Sequence, residues 1–349
     1  MNDAAIPGNG EYKWVGKRTI RPDGVDKVTG RAAYGADYSM PGMLYGKVLR
    51  SPYAHARIVK IDTSKAEALS GVKAVITAAD WPEIPPQRAT KGTAPVNFRH
   101  LSDNLMARRK VLYDGHAVAA VAATSAQVAK RAAKLIDVEY EVLLHVIDPV
   151  EAAADGAPLL HEDLFTNGLE EKPSTPSNVA NRVKFAIGDI EAGFAAADEI
   201  VEREYTTKAV HQGYIEPHAV TANMSEDGSA TVWSSSQGQF MIRQYCAGLL
   251  EVPASNIRVI PAEIGGGFGG KTICYLEPVA LMLSKKSNRP VRITMTREEV
   301  FRASGPTSGA SMWIKIGAKH DGTIVAGDTV YKYQAGAFPG SPVGSVVFR

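Results

Sequence analysis

The chain has 349 residues, enough for two domains or for one domain and part of a second, each with its own core. With 45% hydrophobic and 22% charged residues it has the profile of a globular protein, which excludes a disordered or fibrous chain. The formal net charge is only +2, from 39 basic and 37 acidic residues without long single-sign blocks, so no nucleic-acid partner is expected.

The longest basic cluster, Arg108-Arg109-Lys110, reads as a solvated turn. No apolar run reaches membrane-spanning length, and Met1–Val15 lacks the apolar core of an export leader, so a cytoplasmic protein with no membrane span is expected. The two cysteines, Cys246 and Cys274, form no C-x-x-C pair; they read as reduced, buried thiols, and any redox cluster is expected on another chain.

In chain order, residues 1–20 read as a loose arm rich in Gly, Pro and Asn, and a first domain is expected over 21–146. Within it, Leu44–Leu49, Ile58–Ile61, Val72–Ile76, Val111–Tyr113 and Ala117–Ala122 are predicted strands, because apolar, often β-branched residues lie between Gly, Pro and Asp breakers. Ser125 is placed to cap a helix whose Val128, Ala132, Leu135 and Ile136 return to one face. Residues 147–180, with Asp148-Pro149, Pro158, Pro173 and Pro176, read as a linker. A second domain is expected over 181–349, entered by a capped helix Asp189–Ala197 and a strand Ile200–Thr206.

The most informative segment is an apolar strand, Ile257–Ile264, running into Gly265-Gly266-Gly267-Phe268-Gly269-Gly270-Lys271-Thr272. Glycines let backbone approach a ligand closely, and successive N–H groups can converge on an oxyanion. Formally the segment matches the phosphate-loop pattern G-x-x-x-x-G-K-[ST], which raises nucleotide hydrolysis as a reading. That motif needs a helix starting at its Gly-Lys step. Pro278 would then fall in the second turn, at a cost of about 3 kcal/mol. Pro278 suits instead the first turn of a helix starting near Leu276 or Glu277 and running to Lys285, which leaves the loop extended past Lys271. A bare tight turn is the remaining plain reading of the glycines.

The loop and its flanks resemble the molybdopterin-binding large subunit of the xanthine dehydrogenase, aldehyde oxidase and 4-hydroxybenzoyl-CoA reductase family. The resemblance rests on Tyr34-Gly35-Ala36-Asp37, Leu49-Arg50-Ser51-Pro52-Tyr53-Ala54-His55-Ala56, Asp114-Gly115-His116-Ala117, Glu216-Pro217-His218, Ser235-Ser236-Gln237, the glycine loop and Thr296-Arg297-Glu298-Glu299. It implies an α/β (α+β) fold: an α/β hammerhead domain followed by the first part of the molybdopterin-binding mixed α/β domain. It also implies a molybdenum–molybdopterin cofactor, plain or as the cytosine dinucleotide, against Gly266, Gly267, Phe268, Gly269 and Gly270, with Gln237 beside the molybdenum. His211, Glu216 and His218 have the composition of a metal site, but the family does not ligate its metal through side chains there. They are expected to pack beneath the pocket, and Arg50 and His55 to be structural.

The implied reaction is hydroxylation of an aldehyde, an N-heteroaromatic or another aromatic small molecule, with water as the oxygen source. Electrons would leave through the pterin to [2Fe–2S] and FAD subunits. The family's arginine-containing pterin loop and its C-terminal glutamate base are not in this sequence, which stops shortly after Gly336-Ala337-Phe338-Pro339-Gly340-Ser341-Pro342. Either a second molybdopterin-binding chain or a missing C-terminal half is expected to complete the site, and the chain alone is expected to be inactive. Thr272 stands where purine-oxidising members carry a substrate-binding glutamate, which argues against purines. From a different class, a non-catalytic scaffold or cofactor-loading subunit would keep the same motifs without turnover.

Overall fold

The computed structural model describes residues 12–85 and 97–338. Residues 1–11 of the expected arm and Pro339–Pro342 of the last quoted motif lie outside them. Two compact units are present, Met1–Ala33 and Tyr34–Arg349. The first contains a short helix, Gly24–Thr29, stopped by Gly30 in the left-handed conformation at φ 74°.

Among its described residues the second unit contains thirteen strands. They are β1 (Leu44–Arg50), β2 (Ala56–Asp62), β3 (Val72–Thr77), β4 (Lys110–Val111), β5 (Ala117–Ala123), β6 (Asp137–Val142), β7 (Glu199–Thr207), β8 (Ala219–Met224), β9 (Ala230–Ser234), β10 (Ile257–Pro261), β11 (Val291–Thr294), β12 (Ala310–Ala318) and β13 (Ile324–Tyr333). Seven form one sheet in the order β10-β9-β8-β11-β1-β5-β3; two smaller sheets run β13-β12-β7 and β4-β2-β6. In the large sheet β1–β11 and β9–β10 are parallel and the remaining pairs antiparallel. It therefore takes β1, β3 and β5 from before residue 147 and β8–β11 from after residue 180, joining both sides of the Pro-rich stretch in one hydrogen-bonded layer.

β5 explains the sheet's burial. Its sequence AVAAVAA is buried at every position, and alternation sends Ala120 and Ala122 into the main core while Ala119 and Val121 enter a second one. The second core is closed by the helix Ala126–Ala133, whose Ser125 accepts the Val128 N–H as predicted. That helix stops at Ala133, so Leu135 and Ile136 extend the apolar face from beyond its end. The main core is filled by Glu277–Ser287, buried from Glu277 through Ser284 with Pro278 in its first turn. The short helix expected at 189 spans Ile190–Ala195, with Asp189 accepting from Ala192 N–H.

Two predicted strands differ. Val111–Tyr113 reduces to Lys110–Val111, because the Leu112 N–H turns aside to His116 Nδ1 at 3.1 Å. Ile257–Ile264 ends its pairing at Pro261. No helix among the described residues is long and apolar enough to cross a membrane.

Candidate cofactor-binding site

β9 and β10 lie side by side and parallel, with Ser234 opposite Pro261. Their carboxyl ends therefore open at one level, the usual place for a ligand in sheets with parallel strands. From β9 the chain enters Ser235-Ser236-Gln237 and then the helix Gln239–Leu250; from β10 it enters the glycine loop. Two segments far apart in the sequence thus meet because their parent strands pair.

Gln237 grips the loop. Its Oε1 accepts the N–H groups of Gly269 and Lys271, both at 3.1 Å, and its own N–H donates to Lys271 O at 2.9 Å. Because both neighbours are donors, the amide oxygen faces the loop and Nε2 is left as an outward donor. Gly267 sits against this amide so closely that a Cβ would lie 2.6 Å from Gln237 Oε1. The Gly270 N–H closes a turn on Gly267 O at 2.8 Å, and the Thr272 hydroxyl donates to Gly269 O at 2.9 Å.

The turn is sharp. Gly266, Phe268 and Gly269 all have positive φ, at 100°, 50° and 88°. A left-handed phenylalanine costs on the order of 1–2 kcal/mol and points to a constraint imposed by its surroundings. Its ring is 73% exposed. Among the described residues the N–H groups of Gly266, Gly267 and Phe268 have no protein acceptor, nor do those of Thr272, Ile273 and Cys274 beyond the turn. Beside Gln237, the buried Ser235 and Ser236 hydroxyls also lack a hydrogen-bond partner. The corner thus presents main-chain donors, a free amide donor and two unsatisfied hydroxyls, where buried polar groups are ordinarily paired.

Beneath it lies a packed polar layer. Lys271 is 1% exposed and bonds Glu216 Oε2 at 2.7 Å, with its ammonium 5.1 Å from the centre of the Tyr214 ring. Burial pushes this ammonium below the usual lysine range, opposed by Glu216. The Tyr214 hydroxyl lies 2.6 Å from His218 Nε2 and 3.1 Å from Ser304 Oγ, which His211 Nε2 also reaches at 2.9 Å. Burial, with Lys271 nearby, lowers His218 to about 3, so it is neutral at pH 7. His211 and His218 are thus joined through Ser304 and Tyr214 while Glu216 pairs with Lys271, and no group of three or more potential metal ligands occurs among the described residues.

These positions bear on the phosphate-loop reading. The helix starts at Glu277, not at Gly270-Lys271. Lys271 points down to a carboxylate rather than out to a phosphate. Of the other sequence candidates, Arg50 bonds Glu299 Oε1 at 3.3 Å and Gly115 O at 3.1 Å, and His55 Nδ1 meets Leu144 O at 2.7 Å. Cys246 and Cys274 are free and buried. Ser235 and Ser236 stand in a family motif without a role of their own in the sequence, and the burial of Lys271 is not expected from it; a lysine amid glycines and apolar residues is itself a signal, because buried lysines need a partner.

A fold that joins parallel strands to a donor-rich glycine corner defines a ligand-binding mixed α/β protein, and the comparisons give its family. A molybdopterin cofactor-binding domain matches residues 171–349, and the a/b hammerhead domain of aldehyde oxidase and xanthine dehydrogenase matches residues 29–144. The xanthine dehydrogenase molybdenum-binding subunit of Escherichia coli O157:H7 is 35% identical over 309 residues, aligning 87% of this chain with 39% of that protein. The nicotinate dehydrogenase large molybdopterin subunit of Eubacterium barkeri is 33% identical, aligning 90% of this chain with 69% of that one. Among solved structures, quinoline 2-oxidoreductase of Pseudomonas putida 86 superposes with a TM-score of 0.79 at 28% identity, covering 90% of this chain and 39% of that chain. CO dehydrogenase of Oligotropha carboxidovorans gives 0.76 at 32% identity, covering 90% and 39%. The chain belongs to the molybdopterin-binding subunits of the xanthine dehydrogenase and aldehyde oxidase family. It spans 39% of the length of the Escherichia coli relative.

Proposed function

We propose that this chain supplies the first part of the cofactor pocket of a molybdenum hydroxylase. The observation that carries the reading is the glycine corner clipped to Gln237, with Gly266, Gly267 and Phe268 N–H groups left free beside it. The residues fit the group: a molybdenum–pterin presents oxygens that need donors, and the free groups here are donors at a place where side chains would collide. Gly266, Gly267 and Phe268 would hold it through the main chain and Gln237 through Nε2. Gly269 and Gly270 would shape the turn. When bound, this group supplies the redox chemistry. The chain's own contribution is to orient it with fixed dipoles that need no reorganisation during reaction. The left-handed turn at Phe268 keeps the donor spacing, and the exposed ring can shield the pocket from water.

The finer reading is hydroxylation of an aldehyde, an N-heteroaromatic or another aromatic molecule with water as the oxygen source. Thr272 lacks the acceptor charge associated with purine binding and disfavours that substrate class. The remainder of the large subunit, an iron–sulfur chain and an FAD chain are the proposed partners, in the cytoplasm, and the pterin form is left to chemical assay. We retain the division 21–146, 147–180 and 181–349 as a proposal supported by the two matched segments. The test is metal and pterin analysis of the complex purified through this chain after expression with its neighbouring genes. Molybdenum with pterin supports the reading; a complete, folded complex without either removes it in favour of a scaffold. In that complex Gln237→Glu keeps an acceptor for the Gly269 and Lys271 N–H groups but loses the Nε2 donor, so turnover should fall about 100- to 1,000-fold, the value of a lost transition-state hydrogen bond. An unchanged rate with full molybdenum would refute the role given to Gln237.

A further inference from the structure

We propose that Glu216 and Lys271 are positioning residues, a buried ion pair that stitches the two ends of the glycine loop together and thereby sets the spacing of its free N–H groups. The purpose of the device rests on the cofactor reading above; its geometry does not.

Lysine is almost never fully buried without a partner, and Lys271 is 1% exposed. Its Nζ lies 2.7 Å from Glu216 Oε2, and that same oxygen accepts the Gly265 N–H at 2.8 Å. Position 265 opens the loop and position 271 closes it, so one carboxylate oxygen holds both ends. The other oxygen, Oε1, accepts the Gly35 N–H at 3.3 Å, tying the same knot to the turn that follows Tyr34.

A counter-ion alone would not require these additional bonds. At its main chain Lys271 performs the second half of the task, giving its N–H to Gln237 Oε1 and receiving the Gln237 N–H on its carbonyl. Gln237 Oε1 in turn holds the Gly269 N–H. Glu216, Lys271 and Gln237 thus form one connected set around Gly266, Gly267 and Phe268, in which Glu216 and Lys271 bond none of those three N–H groups. The Gly265 side of the loop is also walled: a Cβ there would lie 2.6 Å from Glu216 Cβ. Only glycine at 265 lets the loop approach Glu216 this closely.

The test is site-resolved amide exchange on the full chain, with and without its partners, for wild type, Glu216→Gln and the double variant Glu216→Gln/Lys271→Met. Glu216→Gln leaves the Lys271 charge without its counter-ion, whereas the double variant leaves no unpaired charge and should recover stability. The informative amides are Gly269, Gly270 and Lys271, none of which bonds Glu216. Both variants should exchange there about 10- to 100-fold faster than wild type, the range set by losing a hydrogen bond to a charged group. In the assembled protein molybdenum content per chain should fall in parallel, and in the double variant it should stay low although its melting temperature returns toward wild type. Wild-type exchange at Gly269–Lys271 in the folded double variant overturns the proposal. Failure of the cofactor reading is separate: wild type would then lack molybdenum while the exchange difference persists.

Discussion

Gly267→Ala is a sharp test of the corner. The residue's φ is not positive, so alanine is allowed by the backbone and the whole effect is steric. An added Cβ would stand 2.6 Å from Gln237 Oε1, 2.8 Å from Cδ and 3.1 Å from Cγ, and the glutamine has to move. Moving it breaks the bonds to Gly269 N and Lys271 N. At about 0.5–1.5 kcal/mol net for each, the substitution should cost about 1–3 kcal/mol. Gly269→Ala is the control: nothing lies within 4 Å of its Cβ, so only the left-handed backbone resists, at about 1–2 kcal/mol, and Gln237 stays in place. The two variants should thus lower stability by similar amounts in denaturant titrations, while only Gly267→Ala should reduce molybdenum content. A cycle with Gln237→Ala isolates the clash: on that background Gly267→Ala should cost less than about 0.5 kcal/mol. An equal penalty with and without Gln237 would refute the steric argument.

Three further outcomes follow from the packing. Gly248 lets the helix Gln239–Leu250 close on Phe98, where a Cβ would lie 2.3 Å from Cε1; Gly248→Ala should destabilise by about 1–3 kcal/mol in denaturant titrations, and a neutral effect would mean that Phe98 has room to turn away. Glu299 completes a capping box with Thr296 and pairs with Lys47 at 2.7 Å and Arg50 at 3.3 Å, so Glu299→Ala strands a largely buried guanidinium and should cost about 3–5 kcal/mol by chemical unfolding, less than 1 kcal/mol contradicting it. Burial lowers His116 to about 4 and His218 to about 3 in the folded chain, against 6.5. Between about pH 4 and 6.5 the unfolded chain therefore binds more protons. Stability is full above pH 6.5 and falls on acidification, by up to about 1.4 kcal/mol per pH unit for each histidine. Unfolding free energies measured at pH 7, 6 and 5 should show that slope, and replacing both histidines by neutral residues should reduce it.

Much of the fold is legible in local pattern because its causes are local. Ala117–Ala122 reads as a strand from an apolar run between breakers, Ser125 as a cap from its place before an apolar stripe, and Pro278 as a first-turn residue because it cannot sit deeper. Strands such as β6, β8 and β11–β13 are not singled out by local pattern. Their pairing depends on neighbours from distant parts of the chain, as when Val291–Thr294 pairs with both β1 and β8. The end of the β10 run at Pro261 is likewise decided by where its partner β9 stops.

The sequence by itself determined the glycine corner, its bar to a phosphate-binding helix, and the motifs that carry the family resemblance, since each depends on residue type and near spacing. Only the tertiary structure decided that Gln237 turns its oxygen to the loop and keeps its nitrogen free, and that Glu216 holds both ends of that loop. Those bonds join residues 32 to 55 positions apart. They exist because β8, β9 and β10 are neighbours in one sheet, with the start of β8 beside the ends of β9 and β10, and strand pairing is a property of the folded chain as a whole.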